Sequence, residues 1–202
     1  LFFNTIILCA QDNESQSWNN LEITYDIYEN IELSAEGGMR SNLSPNELFK
    51  IFSDFSIKKK YNSIISYSAG FRYASNRKKN GFEAQNRFYV DFYLKQGLWS
   101  NFNIVYRNRF QTQHAFDYYV SKIRQKIKLN YDLKAWSLDT YVALELFYVL
   151  EGEFEKTRYV VGLKKSLLNR LDLGLSYMIQ KEMDSDSSEL LYAFRTKLSY
   201  QF

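Results

Sequence analysis

Apolar and polar residues alternate along almost the whole chain. In stretches such as Ser63–Ala74 and Tyr119–Asp132, nearly every second residue is aliphatic or aromatic, and the residues between are polar or charged. A period of two is typical of β-strands whose two faces meet different environments. The pattern predicts eleven strands, which are Trp18–Ile27, Ile31–Arg40, Leu48–Ile57, Ser63–Ala74, Asn86–Leu94, Asn101–Gln111, Tyr119–Asp132, Leu138–Val149, Thr157–Lys165, Leu171–Lys181 and Glu189–Phe202.

The connections between these strands alternate in length. Turns of about three to six residues lie within pairs of strands, and longer polar segments such as Ser75–Gln85 lie between pairs. Outer-membrane barrels show this asymmetry, with short periplasmic turns and longer extracellular loops. We therefore predict a single all-β domain, an antiparallel up-and-down transmembrane β-barrel. Bacterial single-chain barrels have even strand numbers, so we expect about twelve strands, with Gln11–Ser17 as a short twelfth strand or a lumen crossing, and ten as the fallback.

One face of the alternating strands is apolar, and the other carries charges of both signs. A lysine or arginine that faced lipid at mid-membrane would cost roughly 2–4 kcal/mol, so we expect the apolar face outside and the charged face in the lumen. Trp99, Trp136, Tyr28 and Tyr61 fall in or beside the short turns, where an interfacial aromatic girdle would lie. The alternative is a soluble barrel or sandwich with the apolar face inside.

Composition narrows the class of protein. The chain has 16 phenylalanines, 17 tyrosines and one proline, a mixture that favours strands. Mean hydropathy is −0.42, and after the first ten residues no segment approaches the roughly 18–20 apolar residues of a membrane-spanning helix. Because the net charge is only +3, we expect no nucleic-acid partner.

The two ends of the chain predict export. The apolar run Leu1–Ala10 is typical of the end of a signal peptide, which leaves 11–202 as the barrel domain. A buried first strand or short helix and a lipoprotein signal at Cys9 are the alternatives. The last strand alternates up to Tyr200 and Phe202 and resembles the C-terminal assembly signal of bacterial outer-membrane barrels. That resemblance implies the outer membrane of a Gram-negative bacterium as the location, with the barrel-assembly machinery, outer-membrane lipid and lipopolysaccharide as partners.

The most informative charges lie at strict period two. They form a predicted basic wall, whose residues are Lys122, Arg124, Lys126 and Lys128, with Arg107 and Arg109 on the preceding strand. Alternation places these six residues in the lumen, across from acids such as Asp139, Glu145 and Asp172. An open lumen with this wall would favour small anionic solutes. A closed lumen would hold the same residues in a salt-bridged plug, because a barrel of this size lies between filled and channel-forming barrels.

Catalytic chemistry has little support in the sequence. His114 is the only histidine, and no serine flanks it in its predicted loop, so we expect no enzyme; an outer-membrane lipid hydrolase is the alternative. With one histidine and no cysteine after Ala10, only carboxylates remain as further metal ligands, so we expect no metal or other cofactor. Besides a channel, we consider a non-conducting structural or accessory barrel that binds a protein partner of unknown identity, or lipid head groups, through its extracellular loops, especially Arg77–Gly81.

Several segments together resemble a known family. They are Trp18, Ser63–Tyr73, Glu83–Asp91, Tyr141–Tyr148 and Phe154–Tyr159. On these patterns the chain is similar to domain of unknown function 2490, an uncharacterised family of outer-membrane barrels. The resemblance implies a barrel in the outer membrane, and it supplies neither an activity nor functional residues.

Overall fold

Strands account for most of the protein. The computed structural model describes residues 14–78, 81–115, 118–150, 152, 154–183 and 190–202. The predicted signal-peptide remnant, Leu1–Ala10, lies outside these residues. The strands are β1 (Glu14–Tyr28), β2 (Ile31–Leu43), β3 (Asn46–Lys60), β4 (Ile65–Lys78), β5 (Gly81–Trp99), β6 (Phe102–Ala115), β7 (Tyr118–Leu133), β8 (Leu138–Val149), β9 (Phe154–Leu168), β10 (Leu171–Glu182) and β11 (Leu190–Gln201), with a single 3₁₀ turn at Lys134–Trp136 between β7 and β8.

The strands close into one barrel, which confirms the predicted fold class. Each strand pairs antiparallel with its neighbour in sequence, and β1 pairs with β11 in parallel, from Glu14 opposite Leu191 to Thr24 opposite Gln201. The connections β1–β2, β3–β4, β5–β6, β7–β8 and β9–β10 lie at one end, which we call the turn end. The other end is called the loop end.

The described part of the chain has eleven strands rather than the expected twelve or the fallback of ten. The even-number rule assumes that the first and last strands are antiparallel, whereas a parallel seam closes a barrel with an odd number. Of the segment Gln11–Ser17, the described residues 14–17 open β1 and form no separate strand. Because both edges of the sheet are used by the β1–β11 seam, the closed barrel has no free edge for a further strand.

The strands are longer than the alternating pattern indicated. The predicted loop Ser75–Gln85 is mostly strand, because β4 continues to Lys78 and β5 begins at Gly81. Backbone pairing persists there, for example between Asn76 and Glu83, although the side chains no longer alternate clearly. The strands reach 12 to 19 residues, more than the roughly 9–11 residues that a tilted strand needs to cross a bilayer.

The two faces of the sheet are arranged as predicted, with the apolar face outside. Along β5 the exposed fraction of successive side chains is 63% for Phe88, 6% for Tyr89, 52% for Val90, 3% for Asp91 and 43% for Phe92. Alternate residues therefore point outward and into the lumen. The arrangement is the reverse of the soluble alternative, in which the apolar face would fill the interior.

Aromatic residues surround the turn end. Tyr28, Tyr61, Trp99 and Trp136 all lie at or beside its turns and are at least two-thirds exposed. They occupy the level at which the sequence predicted a girdle.

No helix within the described residues has the length and apolar character required to cross a membrane.

Lumenal glycines make room for aromatic rings that lie against the barrel wall. In three places an aromatic residue is the direct cross-strand partner of a glycine, and a Cβ atom on that glycine would collide with the ring. The three pairs are Gly38 with Phe52, Gly70 with Tyr89, and Gly162 with Tyr141. Large rings therefore fit inside a narrow barrel because the opposing residue has no side chain.

Each of these three rings also lies beneath a cation. The distances from the cationic group to the ring centroid are 4.0 Å for Arg72 over Phe52, 3.6 Å for Arg109 over Tyr89 and 4.1 Å for Lys128 over Tyr141. Cation–π contacts of this kind hold a positive charge at a fixed position against an apolar surface. The glycines thus contribute indirectly to the placement of lumenal charge.

Two adjacent glycines on β2 provide a matched test of this packing. A Cβ atom on Gly38 would collide with the Phe52 ring and lie 2.7 Å from Asn20 Oδ1, whereas a Cβ atom on Gly37 would meet nothing within 4 Å. We expect Gly38→Ala to lower the free energy of unfolding by about 1–3 kcal/mol, the usual cost of overpacking, and Gly37→Ala to leave it unchanged or raise it slightly. Urea unfolding of the refolded barrel would measure both, and equal effects would contradict the proposed packing.

Candidate functional site: a cationic lumen

A cavity of about 930 Å³ occupies the interior of the barrel. Its lining extends from Glu32 and Lys58 near the turn end to Asn76 and Glu83 near the loop end. Sixteen of the lining residues are lysine or arginine and eight are aspartate or glutamate, which is an excess of eight positive charges. Because the whole chain carries only +3, the rest of the protein is net negative and positive charge is concentrated in the lumen.

The strand register brings like charges together on the lumenal wall. Four pairs of cations are direct cross-strand partners, namely Arg40 with Lys50, Arg72 with Arg87, Arg109 with Arg124, and Arg107 with Lys126. Like charges directly opposite one another destabilise a sheet. The lumen therefore needs carboxylates, ligands or solvent to offset this repulsion.

Two buried aspartates provide part of the compensation. Asp54 accepts hydrogen bonds from Arg72 Nε and from the Tyr89 hydroxyl, both at 2.6 Å. Asp91 accepts two hydrogen bonds from the Arg109 guanidinium, from Nε and Nη2, both at 2.7 Å. Bidentate pairing of this kind is strong and fixes the orientation of the arginine.

Glu145 is the third buried carboxylate and has the most cationic partners. It accepts hydrogen bonds from Arg107 at 2.6 Å and from Arg124 at 2.9 Å, and Arg158 Nη1 lies 3.7 Å from its other oxygen. The side chain is only 5% exposed. Glu145 on β8 thus connects β6, β7 and β9, the strands that carry the three arginines.

Four of the six residues of the predicted basic wall are in ion pairs. The pairs are Lys122 with Glu155 at 2.7 Å, Arg124 and Arg107 with Glu145, and Arg109 with Asp91. The other two, Lys126 and Lys128, have no carboxylate oxygen within 4.0 Å in the described part of the chain. The six cations look alike in the sequence, but in the structure four of them are paired with a carboxylate and two are not.

The three predicted lumenal acids lie in two different places. Glu145 lies on the strand next to the basic wall and contacts it directly. Asp139 and Asp172 lie at the turn end, where Lys164 Nζ is 3.9 Å from one and 3.1 Å from the other. Both are partly exposed, so they belong to the rim rather than to the central lumen.

Part of the lumen is filled by apolar side chains. The cluster consists of Trp18, Ala143, Val160, Met178 and Ala193, all less than 9% exposed. These residues come from β1 and from β8 to β11. The cavity consequently runs mainly along the wall formed by β2 to β7.

The cavity is also lined by cations that the sequence did not single out as a site. Arg40, Lys50 and Arg87 lie on β2, β3 and β5, and none has a carboxylate oxygen within 4.0 Å among the described residues. In the sequence, Lys50 and Arg87 occupy positions that the alternation of their strands assigns to the lumenal face. The signal for Arg40 is weaker, because Gly37 and Gly38 interrupt the alternation of β2.

His114 lies on a strand and not in the predicted loop. β6 continues to Ala115, and His114 is the cross-strand partner of Tyr119, with 4.4 Å between the ring centroids. Within the described residues, no group of three or more His, Cys, Asp or Glu side chains is arranged to hold a metal ion.

The other predicted sites lie near the ends of strands. Tyr200 is on β11, its ring makes an edge contact with Phe202 at 4.8 Å, and the Phe202 amide donates to the Thr24 carbonyl. Arg77 Nε lies 2.9 Å from Glu47 Oε1. Residues 79 and 80 of the predicted binding loop Arg77–Gly81 lie outside the described residues.

Glu145 permits a stability test with a matched surface control. Glu145→Gln removes the carboxylate shared by three arginines, and we expect a loss of about 3–5 kcal/mol in the free energy of unfolding, as for other buried ion pairs that lose one partner. Glu47→Gln breaks the exposed pair with Arg77 and should cost at most about 1 kcal/mol. Urea unfolding measures both, and similar small losses would show that the Glu145 network contributes little.

Comparison with known proteins identifies the family. No curated protein matches the chain. A family model described as "Protein of unknown function (DUF2490)" matches residues 15–190, from β1 to the first residue of β11. The match covers most of the barrel and agrees with the resemblance seen in the sequence, so this chain belongs to the DUF2490 family of proteins of unknown function.

Proposed function

We propose that the protein is a bacterial outer-membrane β-barrel that passes small anionic solutes through its basic lumen. Membrane insertion is supported by the outer surface, on which side chains such as Phe88 and Val90 are more than half exposed. A continuous apolar exterior of this kind is costly in water and favourable in lipid. The closed ladder also has no free edge, which is a requirement for strands in a bilayer.

The single observation that carries the anion pathway is the excess of eight positive charges on a cavity whose lining approaches both ends of the barrel. Rings or walls of lysine and arginine favour anions in pores. In the proposed orientation the turn end, with Trp99 and Trp136, faces the periplasm. Outer-membrane lipid and lipopolysaccharide would then surround the barrel, and the assembly machinery would recognise the strand that ends at Phe202.

A non-conducting structural or accessory barrel is the second candidate, and the filled side of the lumen favours it. The apolar cluster around Met178 and the Glu145 network narrow the interior from β7 to β11. Such a barrel would act through its loops, by binding a partner protein or lipid head groups. Conductance measurements distinguish the two candidates.

Membrane insertion can be tested by placing a charge on the outer face. Val90 is at the middle of β5 and 52% exposed, whereas Leu168 is 69% exposed at the end of β9. If lipid surrounds the barrel, Val90→Arg should lower the free energy of unfolding in vesicles by roughly 2–4 kcal/mol, and Leu168→Arg should lower it by about 0–1 kcal/mol. Urea unfolding in phospholipid vesicles gives both values, and a negligible cost for Val90→Arg would contradict a lipid-facing exterior.

Anion selectivity can be tested at the two unpaired lysines of the basic wall. We expect purified protein in a planar bilayer to give an anion-selective reversal potential under a salt gradient, and Lys126→Gln/Lys128→Gln to shift it toward zero. Lys122 and Arg124 are left intact because they neutralise Glu155 and Glu145.

The matched control removes two lysines from the exterior. Lys59 and Lys165 are exposed on the outward face, so Lys59→Gln/Lys165→Gln changes the net charge equally without changing the lumen. An equal shift in both variants would contradict lumenal selection. No conductance from folded, heat-modifiable protein would reject the channel in favour of the accessory barrel.

A further inference from the structure

Arg40, Lys50 and Arg87, which we call the cation trio, are lumenal cations of β2, β3 and β5 that no carboxylate compensates among the described residues. Arg40 and Lys50 are direct cross-strand partners, and Arg87 is the direct partner of another arginine, Arg72. All three residues line the same cavity. Among the described residues, none of them has a carboxylate oxygen within 4.0 Å, and the hydrogen bond from Arg87 goes to a neutral acceptor, Gln113 Oε1, at 2.8 Å.

The neighbouring arginines show that this arrangement is local. Arg72 and Arg109 each have a carboxylate oxygen at 2.6–2.7 Å, and so does Arg107. The Nε atoms of Arg40, Arg87, Arg107 and Arg124 are all buried without a hydrogen-bond partner within the described residues. Arg107 and Arg124 bind Glu145 through Nη2 instead, whereas in the same part of the chain Arg40 and Arg87 have no carboxylate partner. Buried donors and unpaired charges are costly, and a negatively charged ligand with several acceptor oxygens would offset that cost.

Trp18 gives the trio a rigid side. The guanidinium carbon of Arg40 lies 3.7 Å from the centroid of the Trp18 ring, and the indole Nε1 donates to Gln16 Oε1 at 2.8 Å. Stacking fixes the plane of the guanidinium, and a planar fork with fixed orientation is suited to bidentate binding of an oxyanion. Lys50 adds a compact charge beside this fork.

We propose that the cation trio binds a multivalent oxyanion of the phosphate class, either inorganic phosphate or the phosphate group of a small phosphomonoester. Two arginine forks and a lysine provide more donors and more charge than chloride can use, whereas a phosphate dianion can accept from all three. The proposal rests on the proposed anion pathway, because the ligand must reach the lumen, and it names the class of solute that the pathway would select.

Trp18 also provides the readout. The chain has three tryptophans, and Trp99 and Trp136 are 73% and 74% exposed at the turn end, far from the trio. In a Trp99→Phe/Trp136→Phe background, the fluorescence reports only on Trp18. We expect potassium phosphate, added at constant ionic strength to the refolded barrel in detergent micelles, to give a saturable change that potassium chloride and potassium succinate do not give.

The key variant leaves the reporter contact intact. Lys50→Gln/Arg87→Gln removes two cations of the trio but keeps Arg40 over Trp18, and we expect it to weaken phosphate binding about tenfold or more, as for the loss of charge-assisted hydrogen bonds. The exterior variant Lys59→Gln/Lys165→Gln should bind phosphate as the parent does. Because the trio variant removes unpaired positive charge, we expect it to fold, and heat-modifiable migration checks this. Calorimetric titration with phosphate gives the same affinities without any fluorescent reporter.

Three results would overturn the site: no saturable response to phosphate by either method, equal binding of succinate, or unchanged affinity in the trio variant. The binding assay is independent of conductance, so the two proposals can fail separately. Phosphate binding by a barrel that passes no current would reject only the channel, whereas anion current without phosphate binding would reject only the site.

Discussion

The parallel seam between β1 and β11 is the contact on which the rest of the barrel depends. It pairs residues that lie 177 positions apart in sequence, and it converts a row of hairpins into a closed ladder without a free edge. Trp18 and Arg195 are direct partners across this seam. The apolar cluster, which joins Trp18 to residues of β8 to β11, therefore forms only when the seam is formed. The Arg40 stack lies within the β1–β2 hairpin, where Trp18 and Arg40 are direct partners.

Closure creates an electrostatic problem that the protein solves on only part of its wall. Inward-facing cations of neighbouring strands become direct partners. Three buried carboxylates, Asp54, Asp91 and Glu145, each form an ion pair with an arginine of a neighbouring strand. At Arg40 and Lys50 no carboxylate does so among the described residues. A wall that is compensated in one region and uncompensated in another is consistent with both structural support and ligand binding in one lumen.

Aromatic rings link the backbone to this charge pattern. A glycine on one strand admits a ring from the next strand, and the ring in turn supports a cation, as in Gly70, Tyr89 and Arg109. The pattern recurs on both sides of the barrel, with its direction reversed at Gly162, Tyr141 and Lys128. Small residues in the wall thus determine where positive charge can be held, and substitution of a glycine would disturb charge placement as well as packing.

The sequence by itself determined the strands, the single domain and the face that each residue occupies. The reason is that the side-chain period of a strand is two, so a run such as Phe88 to Phe92 assigns its own inside and outside. The cost of placing lysine or arginine against lipid then indicated which face would lie in the lumen. The position of the predicted basic wall follows from this local rule, and so does the membership of Lys50 and Arg87 in the charged face.

Only the tertiary structure decided the strand number and the pairing of each cation. The count depends on whether β1 and β11 meet in parallel, which is a long-range property with no local signature. Lys122 and Lys126 have the same spacing in the sequence, yet one meets Glu155 at 2.7 Å and the other has no carboxylate within 4.0 Å in the described chain. Lys126 is the direct cross-strand partner of Glu145, but the oxygens of that carboxylate are held by Arg107, Arg124 and Arg158. Which cation binds a carboxylate is thus decided by several strands together and not by the spacing within one strand. The cation trio was likewise decided by the tertiary structure, since its members come from three strands and their positions relative to one another depend on the register of β2 to β5.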